Sequence, residues 1–344
     1  MILRIKYFAF AMFGLTLFMA ACHKNTIVNL VTKTKQDTTT HDVYVTGTSG
    51  DTAVYWKNGK EVKLSDGKNA GYANSIFVTG NNDVYVAGTM YTDGLFSGPF
   101  KAVSWKNGVI TNLDNNPQSL FSQAYAITVS GSDVYVGGYT TNGGNNATYW
   151  KNGTPVVIGG NNSTIYSLSV NGGDVYTSGE SFVSDSSYAT YWKNGKALVL
   201  GPGSSSSIFI ANNNIYTAGY QDINGASYAA CWQNQTVINF DSTSGQDVAS
   251  CVFVSGNDIY VAGYHRSDGN QVATYWKNGV PVALDNTVNV NSWAQSICVV
   301  GNDVYVAGVI VDELLSSTVA TVWKNGVPMK LGIESSAATG LFVK

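Results

Sequence analysis

Charge is scarce in this 344-residue chain. Only 12% of residues are Asp, Glu, Lys or Arg, and the formal net charge is −3. No Lys- or Arg-rich stripe exists, which removes the electrostatic footprint a nucleic-acid partner requires. Histidine is scarcer still: His23 and His41 lie near the N-terminus and only His265 lies further in, so no multi-histidine metal site is expected. There is no Asp-rich calcium loop of the EF-hand kind. No Gly-rich segment leads into a helix to cradle a phosphate, and no cofactor is implied. No segment sustains a 3.6-residue hydrophobic period, so no helix is expected. Cysteine is limited to Cys22, Cys231, Cys251 and Cys298, at spacings that make no disulfide framework. The last three sit in apolar strand patterns, where a free thiol packs as a small hydrophobe; a Cys231–Cys251 pair stays open for an exported protein.

The chain begins with a targeting segment. Arg4 and Lys6 precede an apolar run, Tyr7 to Met19, that is too short for a permanent membrane span. Met19-Ala20-Ala21-Cys22 then resembles the lipobox of bacterial lipoproteins, with Met19 where Leu is usual. The resemblance implies a signal peptide over residues 1–21, lipidation of Cys22 and a lipid anchor in the bacterial cell envelope. The outer membrane is the expected location, and whether the protein faces periplasm or exterior stays open. An ordinary secretory signal cleaved near Ala21 is the alternative. Residues 22–41, rich in Thr and Lys, read as a flexible tether.

From residue 42 onward the sequence repeats. Ala273-Thr274-Tyr275-Trp276-Lys277-Asn278-Gly279 has near copies centred on Trp56, Trp105, Trp150, Trp192, Trp232 and Trp323. A second marker, Asp-Val-Tyr-Val-Ala-Gly or a variant, alternates with it; its tyrosines are Tyr44, Tyr85, Tyr135, Tyr176, Tyr216, Tyr260 and Tyr305, spaced 40–50 residues apart. One unit reads as four strands: Ala294 to Val300, a Gly-Asn-Asp turn, Val304 to Ala307, an irregular segment to Thr318, Val319 to Lys324, an Asn-Gly hairpin turn, and Val327 to Leu331. Four antiparallel strands per unit of this length is the signature of a β-propeller blade. The expectation is therefore an all-β, seven-bladed β-propeller over residues 42–344. The first unit lacks its first strand, and residues 340–344 match the first strand of the second unit, so this C-terminal strand is expected to complete the first blade. The Trp-Lys-Asn-Gly motif resembles extracellular proteins with HAF-type repeats. That resemblance implies an exported repeat protein and carries over no catalytic residue.

The repeated residues read as structural: tryptophans as core, aspartates as turn chemistry, and lysines as a solvated rim that blocks edge aggregation. Asn234-Gln235 breaks the Asn-Gly turn and is expected to loosen its hairpin. Function is expected on the opposite face, which carries the 2–3 and 4–1 connections. Small residues (Ser75, Ala126, Ser167, Ser207, Cys251, Ser296, Gly340) are expected around the axis. Just before them come Asn74, Tyr125, Tyr166, Ser206, Ser250, Gln295 and Thr339, placed at the mouth. Asn74, Tyr125, Tyr166, Gln295, Arg266 and Trp293 (read into a 4–1 loop) are the ligand-binding candidates. Tyr72, Tyr139, Tyr220, Tyr264, Phe96, Phe182 and Tyr188 add aromatic surface suited to sugars or peptide segments. The one concentration of catalytic residue types is His265-Arg266-Ser267-Asp268, read into a 2–3 loop, with Asp222, Asp312 and Glu313 in neighbouring loops. The reading is a membrane-tethered binding module, expected monomeric, for a glycan or protein. The alternatives are a polysaccharide hydrolase or lyase using His265 or the acidic residues, and a structural envelope component.

Overall fold

Strand residues and turn residues alternate so regularly that the backbone follows from them. Val, Ile, Tyr and Trp occupy the pleated segments. At the third-strand turns, Asn and Gly take up positive φ in succession, as at Asn58 (51°) and Gly59 (80°) or Asn278 (51°) and Gly279 (84°). In this computed structural model, which describes residues 41–344 apart from 95–97, 117–118, 185, 239–245, 268, 286–289 and 313–316, every regular element is a β-strand. His41–Lys344 form one compact unit.

Successive strands pair antiparallel into four-stranded sheets. Gly71–Val78, Val84–Tyr91, Phe100–Lys106 and Val109–Asn112 make one such sheet in chain order. Lys196–Ala211 serves two neighbouring sheets. It pairs through Pro202 with Ser186–Lys193 and from Gly203 with Asn214–Ile223. Gly201 and Gly203, at φ 144° and 130°, make the bend between the two halves. This connection was expected to be a 4–1 loop and is continuous strand instead.

The C-terminal strand, Ser336–Val343, pairs with Val43–Ser49, setting Phe342 opposite Tyr44 and Leu341 opposite Val45. It begins four residues before the expected start at 340. Lys344 follows it and donates from Nζ to the carbonyls of Thr79 and Gly80 and to Asn82 Oδ1. The first strand of each sheet touches the first strand of the next, from Gly71–Val78 through Ser292–Val300 to Ser336–Val343, which in turn touches Gly71–Val78. The arrangement is that of a β-propeller.

The core lies between sheets. Each repeated tryptophan is buried and reaches the preceding sheet: Trp56 packs on Ala307, Ala320 and Val322, and Trp150 on Ala87, Ala102 and Leu113. Hydroxyls join the first strands where the backbone ladder does not. The Oγ of Ser75, Ser167 and Ser207 accept the N–H of Ile127, Ile208 and Val252 in the following sheet.

The lysines of the column are largely exposed, and each is also tied into its unit: it lies over a repeat tyrosine, as Lys151 over Tyr135 at 5.3 Å, and pairs with the repeat aspartate, Asp133, at 2.8 Å. The turn asparagine completes this clasp: Asn152 Nδ2 donates to Asp133 Oδ1 at 2.8 Å while Asn152 Oδ1 accepts the N–H of Val134. The aspartates thus tie the 1–2 turn to the 3–4 hairpin as well as starting a strand. In the fifth unit, Asn214 and Gln233 replace Asp and Lys. Asn234 still takes φ 60°, donates to Asn214 and accepts from Ile215. The local hydrogen bonds survive there without charge, so Gln235 does not undo the hairpin.

The 2–3 connections of the fifth, sixth and seventh units are shorter than expected. The second and third strands run on as hairpins, so that His265 pairs with Val272, Arg266 with Gln271 and Asp312 with Ser317. Between Ile223 and Ala226 the turn is Asn224 (52°) and Gly225 (82°), an Asn-Gly signal of the same kind as in the repeat.

Candidate functional site

A β-bulge sits in the first strand of every sheet. Pairing skips one residue between Ala73 and Ser75, between Ala124 and Ala126, and likewise around Tyr166, Ser206, Ser250, Gln295 and Thr339. The skipped residues are those expected at the mouth. They lie within the first strands, because the bulge re-aims one side chain out of the ladder toward the axis. The bulge needs a glycine opposite it. A Cβ on Gly138 would stand 1.8 Å from the Gln123 carbonyl oxygen, and one on Gly308 2.1 Å from that of Trp293. This accounts for the Gly that ends each Val-Ala-Gly marker.

The bulged residues and the small residues behind them line one cavity of about 150 Å³. Asn74, Tyr125, Tyr166 and Gln295 are all part of its wall. Two of the bulged side chains also brace the ring. Asn74 Nδ2 donates to the Ala124 carbonyl at 2.8 Å, and Thr339 Oγ1 donates to that of Ala73 at 2.6 Å.

One side of the mouth is aromatic and carries a partly buried carboxylate. Tyr125 and Tyr166 meet edge to face at 5.3 Å, and Tyr125 and Tyr139 lie 6.3 Å apart. The Tyr125 and Tyr139 hydroxyls both donate to Gln123 Oε1. Tyr166 donates to Glu180 Oε1 at 2.6 Å, and Ser204 bonds the same carboxylate. Burial raises the pKa of Glu180, and also holds the Tyr125 and Tyr166 phenols well above the usual tyrosine range. Burial likewise pushes Tyr139 and Tyr220 up to about 12, with the nearby Glu180 charge adding to the effect at Tyr220. A second aromatic row continues outward: Tyr72 to Tyr91 at 6.3 Å, Tyr91 to Phe100 at 5.4 Å, Phe100 to Phe121 at 4.9 Å.

Other candidates are placed differently. Trp293 lies within Ser292–Val300, paired with Val309, rather than in a loop, and does not line the cavity. Two residues before the bulge, it stays in the regular ladder. Arg266 sits near the end of Asp258–Ser267 and donates to Gln246 Oε1. His265 Nδ1 lies 3.0 Å from Oδ2 of the buried Asp247, whose Oδ1 accepts the Arg266 N–H. Asp222 accepts from Ser227 of its own hairpin at 2.6 Å, a local turn contact. The Asp312 side chain, Glu313, Asp268, Phe96 and Cys22 lie outside the described residues. Cys231, Cys251 and Cys298 are free thiols, and burial raises the pKa of each.

Glu180 and Asp247 were missed in the sequence, and both break the repeat. Glu180 follows the marker glycine, where the other units have Thr48, Thr89, Tyr139, Tyr220, Tyr264 and Val309. Asp247 stands where four units place Ser122, Ser163, Ser292 and Ser336, each of which accepts a third-strand N–H.

No protein-family model and no curated protein matches the sequence. Among solved structures, the chain is similar to TolB from Acinetobacter baumannii at 10% identity, with TM-score 0.43 over 78% of this chain and 82% of that one. A PL25 ulvan lyase gives 12% identity and TM-score 0.47 over 77% and 86%. The β-propeller domain of the Trilobed protease from Pyrococcus furiosus gives 14% and 0.43 over 74% and 81%. These likenesses concern fold and assign no activity.

Proposed function

We propose that the protein is a binding module: an exported, lipid-anchored, seven-bladed propeller, closed by its C-terminal strand, that takes part of a glycan or protein ligand into the mouth of its axial cavity. The observation that carries this reading is the convergence of the bulged residues on one cavity. A bulge repeated in each unit gives up backbone pairing to turn polar and aromatic side chains toward a single point, as a binding site needs. The blade count rests on the alternating markers, and closure on the pairing of Phe342 with Tyr44. At about 150 Å³, the cavity suits a terminal group of a ligand, with the outer aromatic row available to the remainder of that ligand. Glycan arrays and envelope-extract pull-downs with Tyr166→Ala and Gln295→Ala test the site. Binding that survives both substitutions refutes it. Labelling of the wild type but not of Cys22→Ala by a fatty-acid probe tests the anchor.

A second reading, a polysaccharide hydrolase or lyase, draws on the buried Asp247 that orients His265, an arrangement in which a carboxylate fixes an imidazole for proton transfer. Turnover of a polysaccharide by the wild type, lost in His265→Gln, would favour it; binding without turnover favours the first.

A further inference from the structure

Hydrogen-bond bookkeeping at the cavity mouth identifies the kind of group it accepts. The phenolic protons of Tyr125 and Tyr139 are committed to Gln123, and that of Tyr166 to Glu180. The Asn74 amide and the Thr339 hydroxyl donate back to backbone carbonyls. On the side of the mouth formed by Tyr125 and Tyr166, what remains is phenolic lone pairs and aromatic faces, with the Glu180 carboxylate behind the Tyr166 hydroxyl; the donors of Gln295, Ser206 and Ser250 belong to the rest of the wall. The cavity wall includes no Lys, Arg or His. Among the described residues, the side chains bonded to Glu180 are the hydroxyls of Tyr166 and Ser204. A carboxylate removed from water without a counter-charge is costly, and a cation entering beside it recovers that cost. Tyrosine faces attract the same cation through their quadrupole.

We propose that Glu180, with the faces of Tyr125 and Tyr166, receives an organic cation: the ammonium or guanidinium group of the ligand. This deepens the reading of the mouth as a binding site and rests on it. A neutral sugar hydroxyl brings a donor but no charge, so it leaves the Glu180 carboxylate unneutralised. An anionic group beside Tyr125 and Tyr166 meets phenolic oxygens whose protons are already committed and the like charge of Glu180. Burial raises the Glu180 pKa, so the cation is expected to bind with release of a proton where Glu180 is still protonated, and to bind more tightly as pH rises through that value.

The experiment is calorimetric titration of the full chain with trilysine and with its fully acetylated form, Nα and Nε, at several pH values and salt concentrations. Trilysine binding is expected to weaken about tenfold or more in Glu180→Gln, the loss of a charge-assisted contact of about 1.4 kcal/mol, and less in Tyr166→Phe. The acetylated probe should give no heat. Thermal melts establish that the Gln variant is folded. Equal binding of the acetylated probe overturns the proposal. So does trilysine binding that is indifferent to Glu180→Gln and vanishes with salt, which marks surface adsorption. A neutral glycan that is lost in Tyr125→Ala but unaffected by Glu180→Gln also overturns it, while leaving the mouth as the binding site.

Discussion

Gly263 lies against the backbone carbonyl of Val248 so closely that a Cβ would stand 1.9 Å from its oxygen. That approach creates the bulge at Ser250 and turns its side chain to the axis. Gly263→Ala must therefore displace backbone, at about 1–3 kcal/mol. Gly80→Ala, with nothing within 4 Å of its Cβ, is the neutral control. Urea unfolding of the two variants checks this: equal midpoints would show that the bulge yields without cost.

The repeat made this architecture legible, but only where units agree. Trp150 and Tyr135 recur at a fixed offset, so their strands could be placed from spacing alone, and the mouth column from Asn74 to Thr339 was found by stacking first strands. The bulge that aims this column was not foreseen, because a skipped residue leaves the same alternating pattern on either side. Glu180 and Asp247 escaped because each occupies a position that reads as strand or serine elsewhere. A charged residue at one position of an otherwise uncharged column was the signal. The 2–3 connections were read as loops because their residues are polar. In the fifth unit the strands instead continue to Ile223 and Ala226, joined by Asn224-Gly225, a hairpin signal that lies outside the repeated motif.

The Asp-Lys-Tyr-Asn clasp gives the propeller a defined acid sensitivity. Lys151 and Asn152 hydrogen bonds hold the Asp133 pKa below its ordinary value. A carboxylate so depressed contributes stability above its unfolded pKa, about 3.9, and loses it as pH falls through the folded value. Asp133→Asn copies the fifth unit, where Asn234 donates to Asn214. Its turn is expected to hold at neutral pH, with a small fall in midpoint, and its stability should drop less than the wild type's between pH 5 and pH 2, roughly the carboxylate range. Melting curves across that range decide the point; parallel acid losses in both proteins would detach the clasp from stability.

Removing residues 340–344 takes away the buried Val343, worth roughly 1.5–3 kcal/mol, and the partly buried Leu341 and Phe342, each worth less, along with the Lys344 bonds to Thr79, Gly80 and Asn82. Together they are a substantial share of a domain's stability, about 5–15 kcal/mol. The truncation also leaves much of Val43–Ser49 without its partner, an open edge prone to pairing with other chains. The truncated chain is expected to lack a cooperative melt and to aggregate. A melt within about 5 °C of the parent would limit the loss to roughly 2 kcal/mol, too little for a strand that closes the ring.

Glu180 carries the opposite pH signature from Asp133. Its pKa is raised above the ordinary 4.5 by burial, so between the unfolded and folded values the native state binds more protons than the unfolded chain. Stability then falls as pH rises through that window, and the penalty is complete above the folded value. Glu180→Gln keeps an oxygen to accept the Tyr166 hydroxyl but cannot ionise. The variant is therefore expected to melt higher than the wild type at pH 8, and the two to converge below pH 4.5. Melting temperatures of both proteins at pH 4 and pH 8, without added amine, test this. A Gln variant that is less stable at pH 8 would mean that the carboxylate is already neutralised in the native protein, and that the mouth holds its own cation before any ligand arrives.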